Sequence, residues 1–175
     1  MPLVDLYRRY PRERMARSDY SSIHHIDCLL PMKEIEHKFL VDPKKLPTLF
    51  KGAKITQGYL SRSPVVRIRM KTNGVKKAWL TIKGKGCRIR DEFEYEVPYS
   101  DAKQMMKLCG KRKIKKIRYE IGPWEIDQFK GRHKCLWLAE IELPGKKSKL
   151  PKLPDWIVKE VTYDPKYSNA SLAEK

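Results

Sequence analysis

Acids and bases recur at every second position in this chain, and they are grouped by sign. Glu34, Glu36 and Lys38 alternate in Glu34-Ile-Glu-His-Lys38; Glu92, Glu94 and Glu96 alternate further on. Glu125 and Asp127 form a third acidic pair, and Glu140 and Glu142 a fourth. The bases follow the same rule as Arg67 with Arg69, and Lys116 with Arg118. Strand side chains alternate with period two, so each set lies on one face. Rows of carboxylate oxygens suit a hard divalent cation, and guanidinium forks suit phosphate. Like charges at i and i+2 stand about 6.5–7 Å apart. They repel unless opposite charge sits between them. Cations between the acids and phosphates between the arginines would relieve both.

These residues need strands to position them, and alternation predicts eight: 33–41, 55–61, 65–71, 76–83, 88–97, 112–121, 122–129 and 134–143. Asn73-Gly74 is a hairpin signal, and Gly84-Lys85-Gly86, Gly122-Pro123 and Gly131 punctuate later turns. One helix is predicted, with Ser100 as N-cap and Gly110 as stop. A short helical turn is predicted at Asp155-Trp156-Ile157. The faces opposite the charges are apolar: Ile35 and Phe39, Ile68 and Met70, Leu80 and Ile82, Ile126, Trp137 and Ile141. Two architectures satisfy that pattern. A sandwich packs the apolar faces inward and leaves the charges in water. A barrel turns the charges into its lumen and needs cover for its outer wall.

The chain has 175 residues, 41% hydrophobic and 34% charged, which fits one domain with a substantial core. No apolar run is long enough to span a membrane, and no secretory signal is recognisable, so a cytoplasmic protein is expected. Cys28, Cys87, Cys109 and Cys135 are far apart, without metal or redox spacing. A formal charge of +18 favours polyanionic partners. Runs such as Lys111-Arg-Lys113 and Lys146-Lys147 read as solvated surface. Residues 1–31 lack alternation and are read as an extension, disordered or outside the native domain, with 32–175 as the folded domain.

An ordered set of motifs makes the sequence recognisable. It runs through Glu34-x-Glu36-x-Lys38, Gln57-Gly-Tyr-Leu60, Arg67-x-Arg69, Thr81-Ile-Lys83 and Arg90-x-Glu92-Phe-Glu94-Tyr-Glu96. It continues with Lys116-x-Arg118-Tyr119, Trp124-Glu-Ile-Asp127, Ala139-Glu140-Ile-Glu142 and Asp164-Pro-Lys-Tyr167-x-Asn169. This set resembles the CYTH superfamily, the triphosphate tunnel metalloenzymes, and is most similar to the short bacterial inorganic triphosphatases. Where that family often has Lys-Thr-Arg, this chain has Lys116-Ile-Arg118; the charged positions remain.

The resemblance implies an α+β, mostly-β fold: a closed eight-stranded antiparallel barrel with a few short outer helices. Its charged lumen is expected to be open at both ends. Triphosphate would contact Lys38, Arg67, Arg69, Lys83, Lys116 and Arg118, with Arg90 a lesser candidate. Mg²⁺ or Mn²⁺ would be held by Glu34, Glu36, Glu140 and Glu142, the two pairs facing each other across the barrel. Glu94 and Glu96 would serve a second ion. Asp127 or a nearby glutamate would accept a proton, so Asp127, Lys38 and Glu94 are the catalytic candidates. The implied reaction is hydrolysis of inorganic triphosphate to pyrophosphate and phosphate. Thiamine or nucleoside triphosphates, or adenylate cyclase chemistry, are alternatives. So is a non-enzymatic protein that binds polyphosphate or nucleic acid. Neither a nucleic-acid nor a membrane partner is expected, because the acids on the charged faces oppose the first. The thin helical cover leaves room for a homodimer. His37 should point away from its neighbours, Trp124, Trp137 and Trp156 should pack, and Gly84-Lys85-Gly86 is too short for a phosphate-binding loop.

Overall fold

Alternation becomes strand almost wherever it was expected. The computed structural model describes residues 32–84, 89–145 and 148–174, with the side chains of 32–34, 89 and 90 outside that set. The expectations for residues 1–31, and for the centre of the Gly84-Lys85-Gly86 turn, lie outside the described residues. The strands are β1 (Met32–Val41), β2 (Ala53–Arg62), β3 (Val65–Asn73), β4 (Val75–Lys83) and β5 (Ile89–Glu96). They continue with β6 (Lys113–Ile121), β7 (Trp124–Phe129), β8 (Trp137–Glu142) and β9 (Ile157–Glu160). Helix α1 spans Tyr99–Leu108 and α2 spans Asn169–Leu172. All pairings are antiparallel, in the order β5-β4-β3-β2-β6-β7-β8-β1-β9. A further pairing joins β5 to β1, with Glu34 opposite Arg90 and Ile35 opposite Ile89. The fold is therefore a mostly-β antiparallel sheet with few helices.

Local chemistry explains the turns. Gly74 takes φ 75°, and the left-handed backbone it permits lets Asn73 pair with Val75. Gly110, at φ 55°, stops the chain just past α1. The helix begins one residue before the expected cap. Pro98, not Ser100, occupies the cap position, because a proline's missing donor and fixed φ suit a helix start.

Two sequence expectations are corrected here. Among the described residues there are nine strands rather than eight. The turn expected after Pro154 is present, closed by Ile157 N–H donating to Pro154 O at 3.0 Å, and residues 157–160 then form β9 on the edge of β1. The two-residue alternation of Ile157-Val-Lys-Glu160 is too short to stand out in sequence. Finally, one end of the charged face is covered. Val161, Leu172 and Ala173 pack with Tyr59, Ile114, Phe129 and Leu138, so the expectation of two open ends does not hold.

Both faces of the sheet are buried, by different means. On the apolar face, Ile35, Phe39, Trp124, Ile126, Ala139 and Ile141 form one cluster with Trp156. Ile68 and Ala78 lie under Ala102 and Met106 of α1 and under Cys109 just past its end. Gly58 lets that helix approach: a Cβ there would stand 2.6 Å from both Cys109 Sγ and Met106 Sδ. The opposite face carries the charges and is buried too, with Lys38, Arg67, Lys83, Lys116, Arg118, Asp127 and Glu140 all largely withdrawn from water. A flat sheet could not withdraw so many charges. Strand twist and coiling make the charged face concave.

Candidate active site

Register decides what the charged side chains meet. Arg118 on β6 lies opposite Asp127 on β7, and Lys38 on β1 lies opposite Glu140 on β8. Asp127 is 0% exposed. One of its oxygens accepts from Lys116 Nζ at 2.5 Å and from Arg118 Nη2 at 2.6 Å, the other from Arg118 Nε at 2.7 Å. Arg118 reaches past β7 to Glu140, Nη2 to Oε2 at 2.6 Å, and its Nη1 donates to Glu125. Lys38 Nζ completes the chain, 2.9 Å from Glu140 and 3.0 Å from Glu36. One continuous network therefore links β6, β7, β8 and β1.

A second network lies on β3, β4 and β5. Arg67 Nη2 donates to Thr81 Oγ1 at 3.2 Å, and Thr81 Oγ1 donates to Glu94 at 2.8 Å. Arg69 Nη2 donates to the other oxygen of Glu94 at 2.6 Å. Lys83 Nζ pairs with Glu92 at 2.7 Å, and Arg67 stands 3.7 Å from the same carboxylate. The Nε atoms of Arg67 and Arg69 are buried without any hydrogen-bond partner. Buried donors are normally satisfied, and an orphan costs about 1–3 kcal/mol. Two adjacent guanidinium groups with unpartnered donors have the chemistry to take up an anion.

The electrostatics separate the cations. Burial works against charge on Lys38, yet Glu140 and Glu36 raise its pKa above the ordinary lysine value. Arg118 is likewise raised against burial by Asp127 and Glu140. Lys116 is lowered, by burial first and then by neighbouring Arg118, with Asp127 only partly offsetting them. Arg69 is lowered by burial and by Arg67. Glu140, though buried, is held well below the carboxylate range by Lys38, Lys116 and Arg118. At the covered end, Tyr59 accepts from Gln57 at 3.1 Å, and burial raises its pKa. Asn169 of α2 enters the same face, Nδ2 to Glu140 Oε1 at 3.5 Å.

All six expected phosphate contacts thus share this concave face: Lys38, Arg67, Arg69, Lys83, Lys116 and Arg118. The expected metal ligands are placed differently from expectation. The Glu34–Glu36 and Glu140–Glu142 pairs do not face each other across the fold. They are on neighbouring strands, with Glu36 directly opposite Glu142. Glu94 serves Arg69 and Thr81, and Glu96 is exposed beside Lys77. The side chains of Glu34 and Arg90 lie outside the described residues. Among the described residues, no three acidic, histidine or cysteine side chains gather as a ready-made metal site. Asp127, an expected proton acceptor, is fully buried and holds Lys116 and Arg118, whereas Glu94, also bonded at both oxygens, keeps part of its side chain in solvent.

Trp79 of the same face was not singled out beforehand; it carries the strand parity of Lys83, and parity was the signal that could have found it. Glu92, Gln57, Tyr59 and Thr81, all within the motifs quoted above, share that face. Asn169, which closes the quoted Asp164-Pro-Lys-Tyr167-x-Asn169 motif, reaches the face from a helix, where strand parity gives no signal. His37 points outward as expected, with Nδ1 2.8 Å from Glu160 of β9. The excess positive charge of the chain does not come from this face, where Lys38, Lys116, Arg118, Arg67, Arg69 and Lys83 are set against Glu36, Glu125, Asp127, Glu140, Glu92 and Glu94 across the two networks.

Comparison with known proteins gives this geometry a lineage. A family model described as the CYTH domain matches residues 32–175. An inorganic triphosphatase of Acetivibrio thermocellus is 41% identical over 150 residues, covering 81% of this chain and 94% of that protein. An inorganic triphosphatase of Nitrosomonas europaea is 29% identical over 149 residues, covering 81% of this chain and 97% of its own length. The crystal structure of the inorganic triphosphatase NE1496 matches with a TM-score of 0.56 at 27% identity, over 81% of this chain and 95% of that one. With the family model spanning the whole described sheet and both helices, the chain belongs to the CYTH domain family.

Proposed function

We propose that this chain hydrolyses inorganic triphosphate to pyrophosphate and phosphate, as a cytoplasmic enzyme, on the concave charged face. In this reading the β5–β1 pairing closes β1 to β8 into a tunnel, and β9 is an addition outside the ring. The observation that carries it is the pair of buried, unpartnered Nε donors on Arg67 and Arg69, set among four further withdrawn cations. A chain of phosphates has many acceptor oxygens and several charges, and it supplies what those donors lack. The relatives named inorganic triphosphatases support the choice of substrate.

Each residue then has a physical task. Arg67, Arg69 and Arg118 offer planar forks to phosphate oxygens. Lys83, Lys116 and Lys38 add point charge. Asp127 keeps Lys116 and Arg118 in place. Glu94, which retains contact with solvent, is our candidate for the group that accepts a proton from water. Pre-set charge around the phosphates supplies most of the rate, because phosphoryl transfer asks chiefly for positioning and neutralisation.

The acidic residues fit a hard divalent cation. Glu36, Glu140 and Glu142 offer oxygen donors, the type that Mg²⁺ and Mn²⁺ take. Two of those carboxylates, Glu36 and Glu142, are opposed in register, and a cation between them would add to the charge that Lys38 already sets 3.0 Å from Glu36. Glu34 is the next position of the same face on β1. Such a cation would neutralise phosphate charge and lower the pKa of attacking water.

The test is direct. Purified protein is incubated with inorganic triphosphate, ATP, thiamine triphosphate or pyrophosphate, with Mg²⁺, Mn²⁺ or EDTA, and released phosphate is measured. Turnover of triphosphate that EDTA abolishes is expected. No turnover of any substrate refutes the proposal, and unchanged activity in Glu36→Gln refutes the metal assignment.

A further inference from the structure

Trp79 is a large aromatic ring that the register places among charges. It sits on β4 with Arg69 of β3 on one side and Glu96 of β5 on the other. Trp124 and Trp156 belong to the apolar face and pack edge to face, 5.5 Å between ring centroids. Among the described residues, Trp79 belongs to none of the apolar clusters. Its partner is a cation: the Arg69 guanidinium carbon lies 4.9 Å from the ring centroid.

Arg69 needs holding. Its side chain is 22% exposed, more than that of Arg67 at 9%, and it has room to swing toward solvent. Arg67 lies two residues away on the same face and repels it. One end of the guanidinium is tied by Glu94 at 2.6 Å. The ring controls the other degree of freedom, rotation of the guanidinium plane. An arginine over an indole face is attracted by the ring quadrupole, and a ring held against the guanidinium limits how far its donors can turn. Nε, buried and without an acceptor, is one of those donors.

We infer that Trp79 is a positioning residue for triphosphate binding, whose ring fixes the plane of the Arg69 guanidinium so that its unpartnered donors are presented beside those of Arg67. The inference rests on the triphosphatase reading. It assigns Trp79 no contact with the reacting atoms, so it changes affinity and leaves the chemical step alone.

The experiment is a double-mutant cycle with Trp79→Leu, Arg69→Ala and the combination, plus Trp79→Phe. KM and kcat are measured with inorganic triphosphate. The ¹⁵N–¹H resonance of Arg69 Nε is recorded in parallel, since a ring stacked on the guanidinium displaces it. Losing a stack of this kind raises KM for Trp79→Leu by about three- to thirty-fold, with kcat within about two-fold. Trp79→Phe recovers most of that loss, because it restores a ring face. In the Arg69→Ala background, Trp79→Leu adds nothing further. Additive effects in the cycle, an equal fall in kcat, or an unchanged KM each overturn the inference. If Trp79→Leu does not fold, the wild-type Nε resonance and Trp79→Phe decide: an undisplaced resonance overturns it. Absence of any turnover in the wild type is a separate outcome. It removes the triphosphatase reading and this inference with it, whereas triphosphate turnover with no Trp79 effect removes the inference alone.

Discussion

Asp127→Asn separates two roles that one carboxylate could play. Asp127 is fully buried and accepts three charge-assisted hydrogen bonds, from Lys116 at 2.5 Å and from Arg118 at 2.6 and 2.7 Å. Removing one partner of a buried ion pair costs about 3–5 kcal/mol, because the remaining charge stays buried without compensation. Asparagine keeps the volume and one acceptor, and Glu140 still faces both cations. The lower end of the range, about 3 kcal/mol, is therefore expected. At about 2–4 °C per kcal/mol for a chain of this size, the midpoint of thermal unfolding falls by roughly 6–12 °C. Circular dichroism melts of wild type and variant measure this directly. Inorganic triphosphate recovers part of the loss, since its oxygens return negative charge to Lys116 and Arg118. A variant melting within about 2 °C of wild type, yet losing a hundredfold or more in kcat, the effect of deleting a proton acceptor, would refute the anchoring role.

Other outcomes follow from the same contacts. Glu140 is held well below the ordinary carboxylate pKa by Lys38, Lys116 and Arg118, against the effect of its burial. A depressed folded-state carboxyl contributes stability that is complete above its unfolded value of about 4.3 and is lost as pH falls through and below it. Denaturant titrations between pH 7 and pH 3 should show that loss, and Glu140→Gln should flatten it while lowering stability at pH 7. Leu172→Ala, at the apolar cover of the charged face, should cost about 2–4 kcal/mol, read as a lower denaturation midpoint. Gly58→Ala should destabilise by about 1–3 kcal/mol, since its new methyl meets Cys109 and Met106 sulfurs at 2.6 Å. Its kcat should persist below the melting temperature, because the clash is on the helix-covered face.

The sequence determined β1 to β8, though not β9, and which side chains share a face. Both follow from a local rule, the two-residue period, read at Glu34-Ile-Glu-His-Lys38 as readily as at Lys116-Ile-Arg118. It also determined that His37 turns out of the charged set, and the six phosphate-binding candidates do share one concave face. Tertiary structure decided who meets whom. The acid pairs of β1 and β8 are neighbours, not opposites, because strand order is a long-range property that no local period encodes. Asp127 became an anchor because register set it between Lys116 and Arg118, and Trp79 became Arg69's partner in the same way. Asn169 and Leu172 reach the charged face from a helix near the chain's end, where no strand parity could announce them. Parity is a property of one strand, and an active site is a property of several.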